Sequence, residues 1–336
     1  MTTAPLRWRL ADDPGDAPGQ GSLFSSDELM TTERGTGRLS GMEFLHVHAR
    51  KIINEVPVQS RMPFRCTINA YRGCSHACTY CFARPTHDYL GLDIGEDFER
   101  RIVVKVNAVD RLRVELRSPR WTGESIAMGT NTDPYQRCEG KYRLTRGLVE
   151  VLTEARNPFS VLTKSALVLR DLDLLAEAAR RTEVSVSLSI GTLDEAVWRA
   201  TEPGAPHPRR RLDAVRQLSE AGIRTGVLIA PVLPGMSDSP AQLEEVVGAC
   251  VEAGARSVTA IMLHLRPGVR EHFLGWLRPR DPELAEDYER RYRRAYLPDE
   301  EQKRLAARVR ALAERAGARY ATPREARVPS GEPLPP

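Results

Sequence analysis

The sequence predicts an α/β fold: a partial, six-stranded parallel β/α barrel of the TIM type, with a flexible N-terminal arm and C-terminal helices. Three observations predict it. Short apolar or alternating runs of strand length recur at residues 64–70, 125–130, 159–163, 184–190, 225–231 and 257–263. Helical patterns lie between them, at 97–116, 142–155, 171–180, 209–221 and 241–253, so the strands are joined by right-handed parallel crossovers. Gly222 and Gly254 each end a helical stretch just before a strand, where a C-terminal cap belongs. Six such units are too few to close an eight-fold barrel, so a curved, partial one is expected.

The 336 residues, 41% apolar and 28% charged, suffice for one main domain with a sizeable core. Residues 1–45 are rich in Gly, Ser, Thr, Asp and Pro with little apolar periodicity, and read as a disordered arm. Residues 46–280 form the core barrel, 281–321 a helical extension, and 322–336 a second disordered tail of the same character. The first ten residues hold no apolar stretch of signal-peptide length. No later segment approaches the roughly 18 apolar residues of a membrane span. The expectation is a cytoplasmic protein without a membrane partner.

A net charge of +4 is compatible with a polyanionic partner without requiring one. Basic residues gather late, at Arg290, Arg291, Arg293 and Arg294 and at Lys303, Arg304, Arg308 and Arg310. On amphipathic helices such runs are usually solvated faces.

The sharpest local signal is Gly73-Cys74-Ser75-His76-Ala77-Cys78-Thr79-Tyr80-Cys81, in the loop after the first predicted strand. A barrel of this kind carries its reactive groups on the loops that follow the C-terminal strand ends. Six cysteines in this length do not make a disulfide scaffold, and three of them within eight residues point to metal chemistry. Thiolates at C-x3-C-x2-C spacing can ligate three irons of a 4Fe-4S cubane and leave the fourth iron open. Two other readings use the same residues. His76 or His87 would complete a tetrahedral zinc site with the cysteines, or Cys66 or Cys138 would supply a fourth cubane ligand for plain electron transfer.

The cysteine loop resembles that of the radical S-adenosylmethionine (SAM) superfamily, within the branch of spore photoproduct lyase and DNA repair photolyase-like proteins. The likeness covers about residues 64–266 and includes Tyr80, the aromatic residue before the last cysteine. It implies Cys74, Cys78 and Cys81 as metal ligands, a 4Fe-4S cluster and SAM as cofactors, and a reducing partner such as flavodoxin or ferredoxin. In that family the methionine end of the cofactor chelates the open iron, one electron cleaves the sulfonium, and the resulting 5'-deoxyadenosyl radical abstracts a substrate hydrogen.

Further matches run along the strand ends. The segment Thr130-Asn131-Thr132-Asp133-Pro134-Tyr135-Gln136 resembles the branch's TDPYQ-type stretch and departs from the Gly-Gly-Glu form that many members use. The carbonyls of Thr130 or Asn131 then take the methionine amine, and the backbone near Tyr80 contacts the adenine. Lys164 and Ser189 match positions that suit the methionine carboxylate, as does Arg211. Glu202 is a candidate for the ribose hydroxyls or for a structural ion pair. Spore photoproduct lyase returns a hydrogen atom from a cysteine, a role for which Cys138 is the candidate here, against an unreactive buried thiol. Nucleic-acid lesion repair follows by analogy with the branch; a peptide or small-molecule substrate is the alternative.

Overall fold

The computed structural model describes residues 31–57, 60 and 62–320. Residues 1–30 of the expected arm and the whole expected 322–336 tail lie outside the described residues.

Among the described residues twelve strands form two sheets. In chain order they are β1 (Thr31–Arg34), β2 (Glu43–Val47), β3 (Ile53–Glu55), β4 (Cys66–Ile68), β5 (Tyr71–Arg72), β6 (Arg101–Lys105), β7 (Ile126–Met128), β8 (Phe159–Thr163), β9 (Val184–Ser189), β10 (Arg224–Val232), β11 (Ser257–Met262) and β12 (Arg319–Tyr320). The main sheet runs β12-β11-β10-β9-β8-β7-β4-β3. All six predicted strands are present in it, as β4, β7, β8, β9, β10 and β11. Each is parallel to its predecessor in the chain. Every crossover steps to the next neighbour in one direction, so the sheet is wound singly, as a barrel is, and not doubly.

The connecting helices Leu144–Glu154, Leu172–Arg181, Pro208–Glu220 and Pro240–Glu252 lie close to the predicted stretches. Ser239 starts the last with a capping box, its Oγ accepting from the Gln242 N–H at 3.3 Å. Gly222 and Gly254 end their helices at φ values of 78° and 91°, as the capping argument requires. Strand period sorts the rest. In β9, Val184, Val186 and Leu188 are buried in the main core with Leu148, Val215, Leu218 and Val246 of the helices. The alternate residues Ser185, Ser187 and Ser189 face the barrel interior.

Two expectations are corrected. Residues 31–45 are not a disordered arm: β1 pairs antiparallel with β2, and β2 pairs parallel with β6 in a second sheet ordered β1-β2-β6-β5. Phe44, Leu45 and Val47 are buried there, so three apolar residues suffice where a large receiving surface already exists. The continuous helix expected over 97–116 is instead a short helix Glu96–Arg100, the strand β6 and a helix Ala108–Leu116. The apolar run Ile102-Val103-Val104 satisfies either period locally, and pairing with β2 and β5 decides for the strand. The helical extension expected after 280 is present, as the helices Pro282–Arg291 and Asp299–Arg315. Leu305, Val309 and Ala313 of the helix Asp299–Arg315 enter the main core, and β12 adds a parallel strand beside β11.

Candidate active site

The cysteine loop, the loop after β7 and the C-terminal ends of β8, β9, β10 and β11 border a cleft with about 950 Å³ of empty space, part of it open solvent. Cys74, Cys78, Cys81, His76, Tyr80, Thr130, Asn131, Asp133, Lys164 and Ser189 line it at the polar end. Leu162, Leu228, Ile261 and Leu263 form apolar walls.

The cysteine loop is anchored at nearly every residue. The Cys74 N–H donates to the Phe98 carbonyl at 2.9 Å, and the Gly73 carbonyl accepts from Thr132 Oγ1 at 2.6 Å and Gln136 Nε2 at 3.1 Å. Arg84, fully buried, donates to the Cys78 carbonyl from Nε at 3.1 Å and from Nη2 at 2.9 Å. On the other side the 201–206 loop is packed directly onto it: Thr79 N–H donates to the Thr201 carbonyl and Gly204 N–H to the His76 carbonyl, both at 3.0 Å. A Cβ at Gly204 would lie 2.1 Å from the Ser75 carbonyl oxygen. Gly204→Ala is therefore expected to push the two loops apart and lower iron incorporation severalfold, read as iron per chain after anaerobic reconstitution; normal loading would show that the loops part without disturbing the thiols.

All six cysteines are free thiols. Burial pushes the Cys78 thiol up to about 12 and raises those of Cys74 and Cys81 as well. Thiolates in such a place are stable only beside a cation, which suits metal ligands and not free nucleophiles. Among the described residues no three of His, Cys, Asp and Glu converge closely enough to hold one metal ion. His76 is turned elsewhere: its Nδ1 lies 3.3 Å from Asp133 Oδ2. His87 is buried, with Nε2 on the Arg101 carbonyl at 3.0 Å. The tetrahedral zinc reading is thus disfavoured, because a mononuclear site needs convergent ligands. A cubane spreads three thiolates over three irons, and the donor set fits it.

Above the cysteines the strand ends bring together residues that are far apart in sequence. Lys164 Nζ lies 2.8 Å from Ser189 Oγ, 3.7 Å from Glu202 Oε1 and 5.8 Å from the centre of the Tyr80 ring. Ser189 Oγ in turn donates to the Ala230 carbonyl at 2.9 Å. Tyr80 Oη donates to Glu202 Oε1. Asp133 accepts from Thr163 Oγ1 at 2.6 Å and from the Lys164 N–H at 2.7 Å. Burial works to raise the Asp133 carboxyl, yet the His76 charge and these bonds outweigh it and hold it at about 2.

Two expected cofactor contacts are corrected. Arg211 does not reach into the cleft: its guanidinium is buried, with Nε on the Pro206 carbonyl at 2.8 Å, Nη1 on the Ser189 carbonyl at 3.0 Å and Nη2 on Glu202 Oε2. Glu202 is engaged through both oxygens, so the ion-pair reading prevails over a free ribose acceptor. Cys138 is also corrected. It has no solvent exposure and sits in the main core beside the start of the helix Glu139–Tyr142, outside the lining of the cleft. Cys66 is buried in β4 and Cys250 in a helix, both in that same core. Arg84, which grips the cysteine loop, carries no sequence signal of its own, whereas Asp133, Thr132 and Gln136, which also hold the loops in place, lie in the 130–136 segment. A carboxylate in an Asp-Pro turn at a barrel strand end is the signal that marks Asp133.

The sequence matches the Radical SAM superfamily over residues 68–247. An uncharacterized protein of Mycobacterium tuberculosis is 45% identical over 276 residues, which are 82% of this chain and 81% of that one. A radical SAM Nalpha-GlyT isomerase of Pseudomonas phage M6 is 26% identical over 164 residues, 48% of this chain and 32% of its own. Among solved structures, spore photoproduct lyase complexed with dinucleoside spore photoproduct superposes with a TM-score of 0.59 at 20% identity, covering 82% of this chain and 81% of that one. With its family match spanning more than half of its length, this chain belongs to the radical SAM superfamily and is a radical SAM enzyme.

Proposed function

We propose that this enzyme holds a 4Fe-4S cluster on Cys74, Cys78 and Cys81, binds SAM between those residues and the ends of β7, β8 and β9, and abstracts hydrogen from a nucleic-acid lesion. The observation that carries the cofactor reading is the shared cleft: three unpaired thiols line the same cavity as Lys164, Ser189 and the 130–131 backbone. When bound, the cluster and SAM together supply a reducing electron and a carbon-centred radical.

The chain's own residues then bind and shield. Lys164 and Arg211 carry two positive charges against the one of Glu202, so this trio keeps a positive balance that suits the methionine carboxylate. Lys164 is the member that faces the cleft, and Ser189 and Glu202 fix the direction of its ammonium. Arg211 and Glu202 are positioning residues for Lys164 and Tyr80. Leu162, Leu228, Ile261 and Leu263 exclude water from the reacting end. The electron comes from a reducing protein of the flavodoxin or ferredoxin kind. The nucleic-acid part rests on the fold shared with spore photoproduct lyase and on the basic excess of the chain.

The test is anaerobic reconstitution, reduction with dithionite and addition of SAM. The EPR signal of the reduced cluster is expected to change on adding SAM, and 5'-deoxyadenosine to accumulate. Zinc in place of iron, or a reduced cluster that SAM leaves unchanged, would overturn this reading.

A further inference from the structure

At the mouth of the cleft three aromatic rings meet. Phe82, directly after the last cysteine, lies 5.8 Å from His264 between ring centres, and His264 stacks on Tyr296 at 5.4 Å with 24° between the planes. Phe82 and His264 line the cleft itself. Phe82 is 43% and Tyr296 49% exposed, so much of this aromatic surface is left to solvent.

The arrangement is built and not incidental. The chain returns from the helix Pro282–Arg291 to lie against residues 263–266. Leu265 N–H donates to the Ala295 carbonyl at 2.7 Å, Tyr292 Oη to the Leu263 carbonyl at 2.9 Å, and Arg270 Nε to the Tyr292 carbonyl at 3.2 Å. Burial, and after it the neighbouring Arg266, lower the His264 imidazole from its ordinary value, which favours the neutral, flat ring.

Cations surround the rings. Arg266 Nη2 lies 3.4 Å from Tyr296 Oη, and Arg293 and Arg294 are exposed on the segment that leads into Tyr296. Several other basic residues of this region are paired with carboxylates: Arg290 and Arg291 with Asp287, Arg291 also with Glu301, Arg278 with Glu289 and Lys303 with Glu300. Arg266, Arg293 and Arg294 have no carboxylate in ion-pair range among the described residues. Exposed stacked rings beside uncompensated arginines are the surface that single-stranded nucleic acid takes, its bases on the rings and its phosphates on the cations.

We propose that Phe82, His264 and Tyr296 form a stacking platform for an unpaired base, with Arg266, Arg293 and Arg294 tracking the flanking phosphates, so that a nucleotide reaches the cleft from the single-stranded state. This rests on the reading of the cleft as the active site and adds the surface by which the substrate enters.

The test measures binding of a fluorescent oligothymidylate to the full-length reconstituted enzyme by anisotropy over a salt series. Tyr296→Ala is expected to weaken binding about tenfold without changing the salt slope, and Tyr296→Phe to keep the wild-type affinity. The double variant Arg293→Ala/Arg294→Ala is expected to reduce the slope of log affinity against log salt by about 1.4, roughly 0.7 per lost phosphate contact. No binding by the wild type, wild-type affinity in Tyr296→Ala, or displacement by polyglutamate as efficient as by unlabelled oligonucleotide would overturn the platform. Binding needs no cleavage of SAM. An oligonucleotide held through Tyr296 by an enzyme that fails the cofactor test leaves the platform standing and the proposed function refuted.

Discussion

Cys78→Ala is expected to abolish 5'-deoxyadenosine formation, with a loss of more than about a hundredfold, since even outer-shell changes at metal sites cost roughly 10–100-fold. Cys78 is the middle thiol of the loop and is 7% exposed. Removing it leaves two thiols for a group that needs three. The backbone of the loop should survive, because Arg84 grips the Cys78 carbonyl and not its side chain. Iron per chain and the EPR signal after anaerobic reconstitution therefore read the ligand role directly, free of a folding defect. Cys138→Ala gives the contrast. Its thiol is part of the core, so it should keep its iron and lose only the packing of one sulfur. Full iron in Cys78→Ala together with iron loss in Cys138→Ala would reverse the ligand assignment.

Arg211→Ala is expected to cost about 3–5 kcal/mol of stability, the range for breaking one side of a buried ion pair. Three donors of Arg211 hold Pro206, Ser189 and Glu202, and all three lie in or beside the site. Without it the Glu202 carboxylate is buried with only Lys164 and the Tyr80 hydroxyl for partners. Arg211→Lys should recover little, because an ammonium cannot reproduce three divergent bonds of a planar guanidinium.

The pH dependence has a definite sign. Burial works to raise the Glu202 carboxyl, but the charges of Arg211 and then Lys164 outweigh it and leave it below its ordinary value. A lowered carboxyl stabilises the fold above its unfolded value, about 4.3, and that contribution fades as pH falls through the folded one. The stability gap between wild type and Arg211→Ala is thus widest near neutrality and narrows below about pH 4. Urea denaturation of both proteins at neutral and acid pH checks it; an equal gap at both would show that the guanidinium acts through its backbone bonds alone.

The six barrel strands were legible because each is a short apolar run bracketed by glycine, proline or polar residues, and because parallel crossovers admit few topologies. The small second sheet was not. β5 has two residues and β1 is mostly exposed and polar, so neither carries a pattern, and both exist because partners present their edges. Arg290 and Arg291 look the same in sequence as Arg293 and Arg294, yet among the described residues the first two are spent in ion pairs and the last two are not.

By itself the sequence marked the candidate metal ligands: the C-x3-C-x2-C loop after a strand is a local pattern, so Cys74, Cys78 and Cys81 needed no long-range contact to stand out. It also determined the barrel, whose strands are adjacent in chain order. Only the tertiary structure decided what the distant polar residues do. Tyr80 and Glu202 are 122 positions apart, and whether Arg211 faces a cofactor or clamps Glu202 depends on how two loops pack. Such contacts leave no period in the sequence, because a side chain's charge is written there but its direction is set by the backbone that surrounds it.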